Sequence, residues 1–530
     1  MQLIPRTDGQ GPVLVHGVAT AALLALAMPG QIGWWPLLFV ALAPLLLVGL
    51  VASPLRSALV GFVCGLLHHL VLLYWILIVL GRYGNLPWWL SLPALFLLAA
   101  YMASFTAVFS FLLSLVAGRH QQRKPSAAVL VWAAPILWVG LDYLKGILLS
   151  GFPWMDLGYG LSTQPRLIQA ADLGGHHLVT FSIVLCNGLV VALLDRRRRD
   201  FRPYLRPQRW PLVLACLFLV GIGGYSAVRY RVVESGLAGA PQARIAVVQG
   251  NIDQALKWSA EAKEATVSKY IRLSRRILQD SDAQLVVWPE TALPFYLQRD
   301  VLMGRIVDFT TTSNAWLLTG TPFFTLTPQI GAEDQVRFYN GAMLIGPSGK
   351  IGGQHAKQHL VPFGEYVPLR RYLPFLEPLV VSIGDFSAGT STAPLVLGPM
   401  KLGVLICYES IFPEISRNAV MSGANLLVNL TNDAWYGRSS APYQSMSMAI
   451  FRAVETRRTL IRSANTGISG FVDPLGHVIG RTAIFTEKAL AARVPMLEER
   501  TVFSRYGHRF GVACCFLALP LVVFRHRRGT

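Results

Sequence analysis

The spacing of apolar residues divides the chain into two parts. Long apolar segments, each near the roughly 20 residues that cross a bilayer as a helix, lie at 11–29, 34–52, 58–80, 88–117, 127–149, 174–194, 210–228 and 508–525. Between the last two segments the apolar runs shorten to strand length and alternate with helical patterns. The sequence therefore predicts seven transmembrane helices in 1–228, an extramembrane α/β domain at 229–507, and an eighth helix in 508–530.

Composition and charge agree with a membrane protein. The chain is 53% hydrophobic and only 14% charged, which is too apolar for a soluble protein of 530 residues. The net charge of +19 comes partly from arginines beside the spans, such as those at 196–199. Their distribution places the even loops and both termini in the cytoplasm, so 229–507 lies outside, in the periplasm if the source is a bacterium. No zinc-finger spacing or aromatic-interleaved basic helix indicates nucleic acid.

Two features of the membrane part have alternative interpretations. The tripeptide Ala25-Leu26-Ala27 resembles a signal-peptidase site, although we favour a retained first helix. Asp142 and Lys145 lie at helical spacing near the end of the fifth span. They could form a functional intramembrane pair, but a local ion pair near the interface is the favoured interpretation.

Three predicted strand ends in the extramembrane part carry reactive groups. Cys407 follows the aliphatic run 402–406, Glu290 follows a strand that ends in Trp-Pro, and Lys357 precedes the segment HLVPFGEYVP. A thiol on rigid backbone can act as a nucleophile, a partly desolvated carboxylate as a base, and an ammonium as an oxyanion stabiliser. Taken singly, each could be ordinary: a buried thiol, a surface glutamate and a solvated lysine. The sequence spacing does not show that they converge.

The sequence offers little evidence for a disulfide or for a metal site. Cys407 is the only cysteine of the long polar region, so that region cannot form an internal disulfide, and a lone thiol there favours a reactive role. His355 and His359 would share a helix face if their segment were helical, yet no zinc-motif carboxylate accompanies them. We expect no metal and no cofactor.

Several motifs together resemble a known family. WPETALP, KQHLVPFGEYVP, ICYES, NLTNDAWY and RRTLIRSANTGISGFVDPLG look like the nitrilase superfamily with its Glu-Lys-Cys triad. The eight spans, GFPW at 151–154 and QGNIDQALKW at 249–258 narrow the resemblance to the apolipoprotein N-acyltransferase family. The resemblance implies a nitrilase-like αββα sandwich in the periplasm on a base of about eight membrane helices.

The resemblance also implies roles and substrates. Glu290 would be the general base, Lys357 the oxyanion stabiliser and Cys407 the nucleophile that forms a thioester. Supporting or substrate-binding positions would be Glu365, which orients the lysine, together with Trp258, Tyr408 and Glu409. The implied reaction moves an acyl chain from phosphatidylethanolamine to the α-amine of a diacylglyceryl-cysteine apolipoprotein, by ping-pong kinetics and in a monomer.

Some alternatives remain open at this stage. The apolar run 372–389 could form a lipid-facing lid through Leu373, Phe375, Leu376, Leu379 and Val380, or pack on the domain core. Arg438, Arg457 and Arg458 could contact lipid phosphate or form structural ion pairs. A membrane-tethered amidase using the same triad for hydrolysis is the second functional interpretation, and a non-catalytic scaffold is the third.

Overall fold

The computed structural model describes residues 11–30, 32–117, 127–197, 209–254, 260–327, 335–366 and 386–527. Their contacts form two compact units. The first lies within Met1–Ile76, Trp89–Val232 and Tyr506–Thr530, and the second within Leu77–Trp88 and Val233–Arg505. The segment Leu77–Trp88, which runs from the end of the third predicted span to the start of the fourth, groups with the second unit, which we call the catalytic unit. The domain limits at 228 and 507 stay predictions.

The first unit, here the helical unit, consists of apolar helices. The first helices of the chain are α1 (Gly11–Ala27), α2 (Ala43–Val51), α3 (Pro54–Leu72), α4 (Ile76–Ile78), α5 (Trp88–Ala117), α6 (Ala127–Lys145), α7 (Ala171–Arg197) and α8 (Arg209–Leu237). Most of them belong to the helical unit, but the last two residues of α4, the first residue of α5 and the part of α8 after Val232 group with the catalytic unit. By length and composition α3, α5, α6, α7 and α8 can each cross a membrane. The part of the chain that the structure describes also contains three shorter apolar helices: Val13–Ala27, Trp35–Val51 and Arg509–Val523. The predicted third span was too long, because α3 ends at Leu72.

The catalytic unit contains twelve strands among the described residues. They are β1 (Gln242–Gln249), β2 (Leu285–Val287), β3 (Trp316–Thr327), β4 (Gln335–Ile345), β5 (Ile351–Ala356), β6 (Leu395–Leu397), β7 (Met400–Ile406), β8 (Leu426–Thr431), β9 (Thr459–Ala464), β10 (Gly470–Val472), β11 (Val478–Arg481) and β12 (Lys488–Pro495). The helices are α9 (Ala260–Gln279), α10 (Met303–Ser313), α11 (Pro413–Met421), α12 (Ala441–Thr456) and α13 (Val502–Tyr506). The last helix of the chain is α14 (Arg509–Arg527).

The strands form two six-stranded sheets that face each other. Their orders are β12-β1-β2-β3-β4-β5 and β11-β10-β9-β8-β7-β6. The core between them is aliphatic, with Val247 and Val287 from one sheet and Val404 and Val428 from the other. Helices α9 and α10 pack outside the first sheet, and α11 and α12 outside the second. The predicted αββα sandwich is confirmed.

The sheet topology determines where side chains can meet. Strands β1, β2 and β3 are parallel, as are β7, β8 and β9. Parallel strands end at one edge of a sheet, and ligands in α/β folds bind beyond those carboxyl ends. The fold therefore favours a ligand-binding site at the residues that follow β2, β7 and β8.

Candidate active site

Glu290 lies three residues beyond β2 and is only 6% exposed. The amide of Asn340 donates to its Oε1 at 2.9 Å, and the backbone N–H of Asn432, after β8, donates to its Oε2 at 3.0 Å. A Cβ at Gly320 would lie 2.6 Å from the Glu290 Cα, so this neighbouring position of β3 requires glycine. The carboxylate is thus held by a side-chain amide at one oxygen and by a backbone N–H at the other.

Cys407 begins the turn after β7 in a backbone conformation that non-glycine residues rarely adopt. Its φ is +58°, in the left-handed region. Asn429 donates to the Cys407 carbonyl at 3.1 Å, and the Thr431 hydroxyl lies 3.9 Å from the Cys407 Sγ. Strained backbone of this kind persists only where the surroundings hold it, and it is concentrated at active sites. The turn brings the thiol near the Glu290 carboxylate, which is one of the groups that shift the pKa of the thiol.

Lys357 follows β5 and is 1% exposed. Its Nζ donates to Glu365 Oε1 at 3.0 Å and lies 3.6 Å from Glu290 Oε1. The same Glu365 oxygen accepts from Asn340 at 2.7 Å, and the other accepts from the backbone of Val361 at 2.8 Å. Glu365 therefore holds Lys357, while the ammonium has a looser contact with Glu290.

Glu290, Lys357, Glu365 and Cys407 form a cluster in which burial and charge determine the protonation of the thiol and the lysine. Burial raises the pKa of the Cys407 thiol, and the nearby Glu290 carboxylate raises it further, while Lys357 acts against both. Burial alone would lower the pKa of Lys357, but Glu365 and Glu290 outweigh it and hold that pKa well above its ordinary value. The resting cluster is thus a neutral thiol beside a permanent ammonium, so the thiol needs a base in order to attack.

Glu409 and Tyr408 brace the loops around the cluster. Glu409 is fully buried and accepts three backbone N–H bonds, from Gln358 at 2.6 Å, His359 at 2.9 Å and Ile406 at 2.7 Å. It thereby joins the loop after Lys357 to the strand end before Cys407. Burial raises the pKa of Glu409 to about 7, against these hydrogen bonds. The Tyr408 hydroxyl donates to the Leu360 carbonyl at 2.7 Å, and its ring lies 5.5 Å from Lys357 Nζ.

The structure adds a residue that the sequence did not single out. Asn340, on β4, uses its amide to bridge the Glu290 and Glu365 carboxylates. A polar residue in the otherwise apolar run YNGAMLI is the signal that could have identified it. Behind Cys407, Arg462 and Asp433 form a buried ion pair at 3.1 Å, and Arg462 also donates to Asn429. Because Asn429 donates to the Cys407 carbonyl, this network supports the turn that begins at Cys407.

Other predicted residues fall elsewhere. Trp258 and the proposed lid residues Leu373, Phe375, Leu376, Leu379 and Val380 lie outside the described residues. The prediction that His355 and His359 share a helix face is wrong, because His355 belongs to strand β5. Arg457 and Arg458 are buried and donate to backbone carbonyls, of Pro474 and Glu499 among others. The phosphate role considered for these two arginines is therefore also wrong.

The helical unit has a buried charge cluster of its own. The predicted local ion pair is present, with Lys145 Nζ 2.8 Å from Asp142 and also 2.6 Å from Asp156. Asp156 in turn contacts His176 at 3.0 Å, and its carboxylate, His176 and His177 lie close enough together to hold a cation. Because Lys145 and His176 already occupy both oxygens of Asp156, we interpret the cluster as an internal ion-pair network.

A sandwich of two sheets between helices, with a glutamate, a lysine and a cysteine meeting at strand ends, defines the carbon–nitrogen hydrolase class. The family model described as Carbon-nitrogen hydrolase matches residues 244–501, and the model of the apolipoprotein N-acyltransferase N-terminal domain matches residues 20–189. A solved carbon-nitrogen hydrolase from Helicobacter pylori G27 aligns with 51% of this chain and 95% of that chain, at 15% identity and a TM-score of 0.37.

Relatives of similar length narrow the class. Apolipoprotein N-acyltransferase from Geobacter metallireducens is 41% identical over 99% of this chain and 96% of its own length. The protein of the same name from Methylococcus capsulatus is 32% identical over 92% of this chain and 91% of its own length. This chain belongs to the apolipoprotein N-acyltransferase family and is an acyltransferase of the carbon–nitrogen hydrolase superfamily.

Proposed function

We propose that this enzyme transfers an acyl chain from a phospholipid, phosphatidylethanolamine in the first instance, to the N-terminal α-amine of a diacylglyceryl-cysteine apolipoprotein. The observation that carries the proposal is the Cys407 thiol at a left-handed turn after β7, near both the Glu290 carboxylate and the ammonium of Lys357, which lies 3.6 Å from that carboxylate. Family membership supports the substrates. The proposal includes a multi-pass monomer in the bacterial inner membrane with the catalytic unit in the periplasm.

The first half-reaction acylates the enzyme. Glu290 accepts the thiol proton as Cys407 Sγ attacks the ester carbonyl of the phospholipid, and Lys357 stabilises the oxyanion that develops. The C–S bond forms and the C–O bond breaks, while Glu290 returns the proton to the departing oxygen of the lyso-lipid. The raised pKa of Cys407 explains why a base in contact with the thiol is needed.

The second half-reaction transfers the acyl chain. The α-amine of the apolipoprotein attacks the thioester carbonyl, and Glu290 accepts a proton from the nitrogen. The C–N bond forms, the C–S bond breaks, and the proton on Glu290 returns to the Cys407 sulfur. An α-amine with an ordinary pKa near 8 is partly deprotonated at neutral pH, so it needs little further activation. Water must be excluded from the thioester, or hydrolysis replaces transfer.

The test follows the fate of a labelled acyl chain. Purified enzyme would receive phosphatidylethanolamine labelled in the sn-1 chain together with a diacylated lipopeptide, and the products would be separated by mass spectrometry. We expect labelled N-acyl lipopeptide and lyso-lipid in equal amounts, with parallel double-reciprocal lines as both substrates are varied. Labelled free fatty acid in place of the lipopeptide product would contradict acyl transfer and favour the hydrolase alternative.

A further inference from the structure

The catalytic unit carries an open pocket that the triad does not occupy. Its volume is about 260 Å³, and two prolines line it together with Lys263, Phe295, Tyr296, Arg299, Asp300 and Phe386. A water molecule takes about 30 Å³ in the liquid, so the pocket has room for a group the size of several waters. It is smaller than the roughly 300–1,000 Å³ of pockets that enclose whole ligands. Its size suits one part of a larger substrate.

The walls of the pocket come from segments that also carry the candidate active site. Phe295 lies five residues after Glu290 on the same loop, and Lys263 lies in the first turn of α9. Phe386 also lines the pocket, and the chain just after it is fixed beside Lys357, because the N–H of Gly389 donates to the Lys357 carbonyl at 2.7 Å. The pocket therefore lies beside the loops that present the base and the lysine.

The pocket is apolar at its floor and positive at its edge. The Lys263 ammonium lies 5.8 Å from the centre of the Phe295 ring, and the Arg299 guanidinium lies 4.5 Å from that of Phe324. Asp300 is the one carboxylate among the described residues of the lining, 4.0 Å from Lys263, at the outer limit of an ion pair. Among the residues that the structure describes, none forms an ion pair with Arg299. The lining residues that the structure describes therefore include two cations and one carboxylate, a net positive charge.

We propose that this pocket binds the phosphodiester group of the glycerophospholipid donor, with Arg299 and Lys263 as its partners. The inference rests on the proposed function and adds a binding site for one part of the donor. The phosphodiester is the anion common to glycerophospholipids, and it lies a few bonds from the ester that Cys407 attacks. The planar guanidinium suits two phosphate oxygens, and Lys263 supplies a second positive charge.

The experiment compares two acyl donors in the same detergent micelles, with acylation of Cys407 measured by intact mass. One donor is phosphatidylglycerol or phosphatidylethanolamine, and the other is a p-nitrophenyl fatty-acid ester, which carries no phosphate. The variants are Arg299→Gln, Lys263→Gln and their combination. Arg275→Gln is the matched control, since Arg275 is an exposed cation of the same unit that pairs with Asp308 away from the pocket.

We expect the double variant to raise KM for the phospholipid about tenfold with little change in kcat, and to leave KM for the aryl ester unchanged. A rise in KM without a change in kcat means that the substrate and the transition state have lost the same binding energy. Its restriction to the phospholipid would show that the lost contact is to the phosphate, which only this donor carries. Equal effects on both donors, or none on either, would overturn the phosphate site. If the unaltered enzyme acylates Cys407 from neither donor, the proposed function itself fails, which is a distinguishable result.

A titration with inorganic phosphate at constant ionic strength separates two sources of the same anion. We expect phosphate to compete with the phospholipid but not with the aryl ester, and the competition to weaken in the double variant. Variants that lose phosphate inhibition yet keep the phospholipid KM of the unaltered enzyme would indicate a site for free phosphate alone. That result would contradict a headgroup site.

Discussion

Each unit of the protein buries a lysine between two carboxylates, and the two clusters differ in how tightly the lysine is held. In the helical unit, Lys145 Nζ lies 2.8 Å from Asp142 and 2.6 Å from Asp156. In the catalytic unit, Lys357 Nζ lies 3.0 Å from Glu365 but 3.6 Å from Glu290. The first lysine is bound closely on both sides, and the second on one side only.

This difference separates a structural ion-pair network from a reactive one. Both oxygens of Asp156 are occupied, by Lys145 and His176, and the candidate cation-binding group there contains no nucleophile. Glu290 instead faces a thiol, and the thiol lies on a backbone turn with a φ of +58°. A buried lysine–carboxylate pair by itself is therefore weak evidence of catalysis. A second carboxylate that contacts a nucleophile is the stronger sign.

The largest effect should come from Glu290→Gln, which keeps the shape of the side chain and removes the proton acceptor. Because burial and Glu290 hold the Cys407 thiol protonated, we expect the rate of acylation to fall about 10²–10⁴-fold. Single-turnover acylation measured by quenched-flow mass spectrometry checks this. Glu264→Gln, at an exposed pair with Arg305, is the control and should change little. A Glu290→Gln rate within a few-fold of the unaltered enzyme would exclude Glu290 as the base.

Replacing each lysine by methionine tests the comparison directly. Lys357→Met should lower acylation about 10²–10³-fold, because the oxyanion loses its charged partner. Lys145→Met should instead lower the free energy of unfolding by about 3–5 kcal/mol, because two buried aspartates lose their cation. The activity of the remaining folded protein should stay within about twofold. Turnover and thermal unfolding in detergent are the two measurements, and a Lys145→Met protein that is stable but inactive would contradict the structural role.

Glu409 predicts a pH dependence of stability. Burial raises its pKa from 4.5 to about 7 in the folded protein. The stabilisation from the bound proton is therefore fully present below about pH 4.5 and is lost as the pH rises through about 7. Relative to Glu409→Gln, which does not titrate, the unaltered protein should gain up to about 3 kcal/mol between pH 7.5 and 4.5. Thermal midpoints of both proteins across this range check it, and parallel curves would contradict it.

The smallest effect should come from Asn340. Asn340→Leu removes the amide that holds Glu290 and Glu365, so each carboxylate loses one donor, and we expect turnover to fall about tenfold. Asn340→Asp should lower turnover further at neutral pH, because it adds a third carboxylate beside Glu290 and Glu365. Initial rates of both variants test this order. A reversed order would show that the amide does not act by balancing the two carboxylates.

Local patterns predicted the positions that depend on local structure. The strands before Glu290 and Cys407 appear as aliphatic runs, helix α9 matches the amphipathic pattern 261–278, and the hairpin β10–β11 matches 471–481. The span 88–117 coincides with α5. In each case the element follows from the spacing of apolar residues that are neighbours in the chain, so it can be predicted from the sequence alone.

Long-range pairing determines what could not be predicted. Strand β12, Lys488–Pro495, has an alanine-rich sequence and exists because it pairs with β1 across more than 200 residues. Strand β5, which presents Lys357, is half exposed and carries two glycines. Glu409 is bound by N–H groups about 50 residues away, and Asn340 bridges carboxylates from two other segments. No local pattern encodes these contacts.

The measurement that tests the central claim most directly is the intact mass of the purified enzyme after incubation with phosphatidylethanolamine and no acceptor. We expect a mass gain of one acyl chain that hydroxylamine removes and that Cys407→Ala does not show. Peptide mapping should locate the adduct on Cys407. An unmodified enzyme, or an adduct that persists in Cys407→Ala, would contradict a thioester on this cysteine and with it the proposed mechanism.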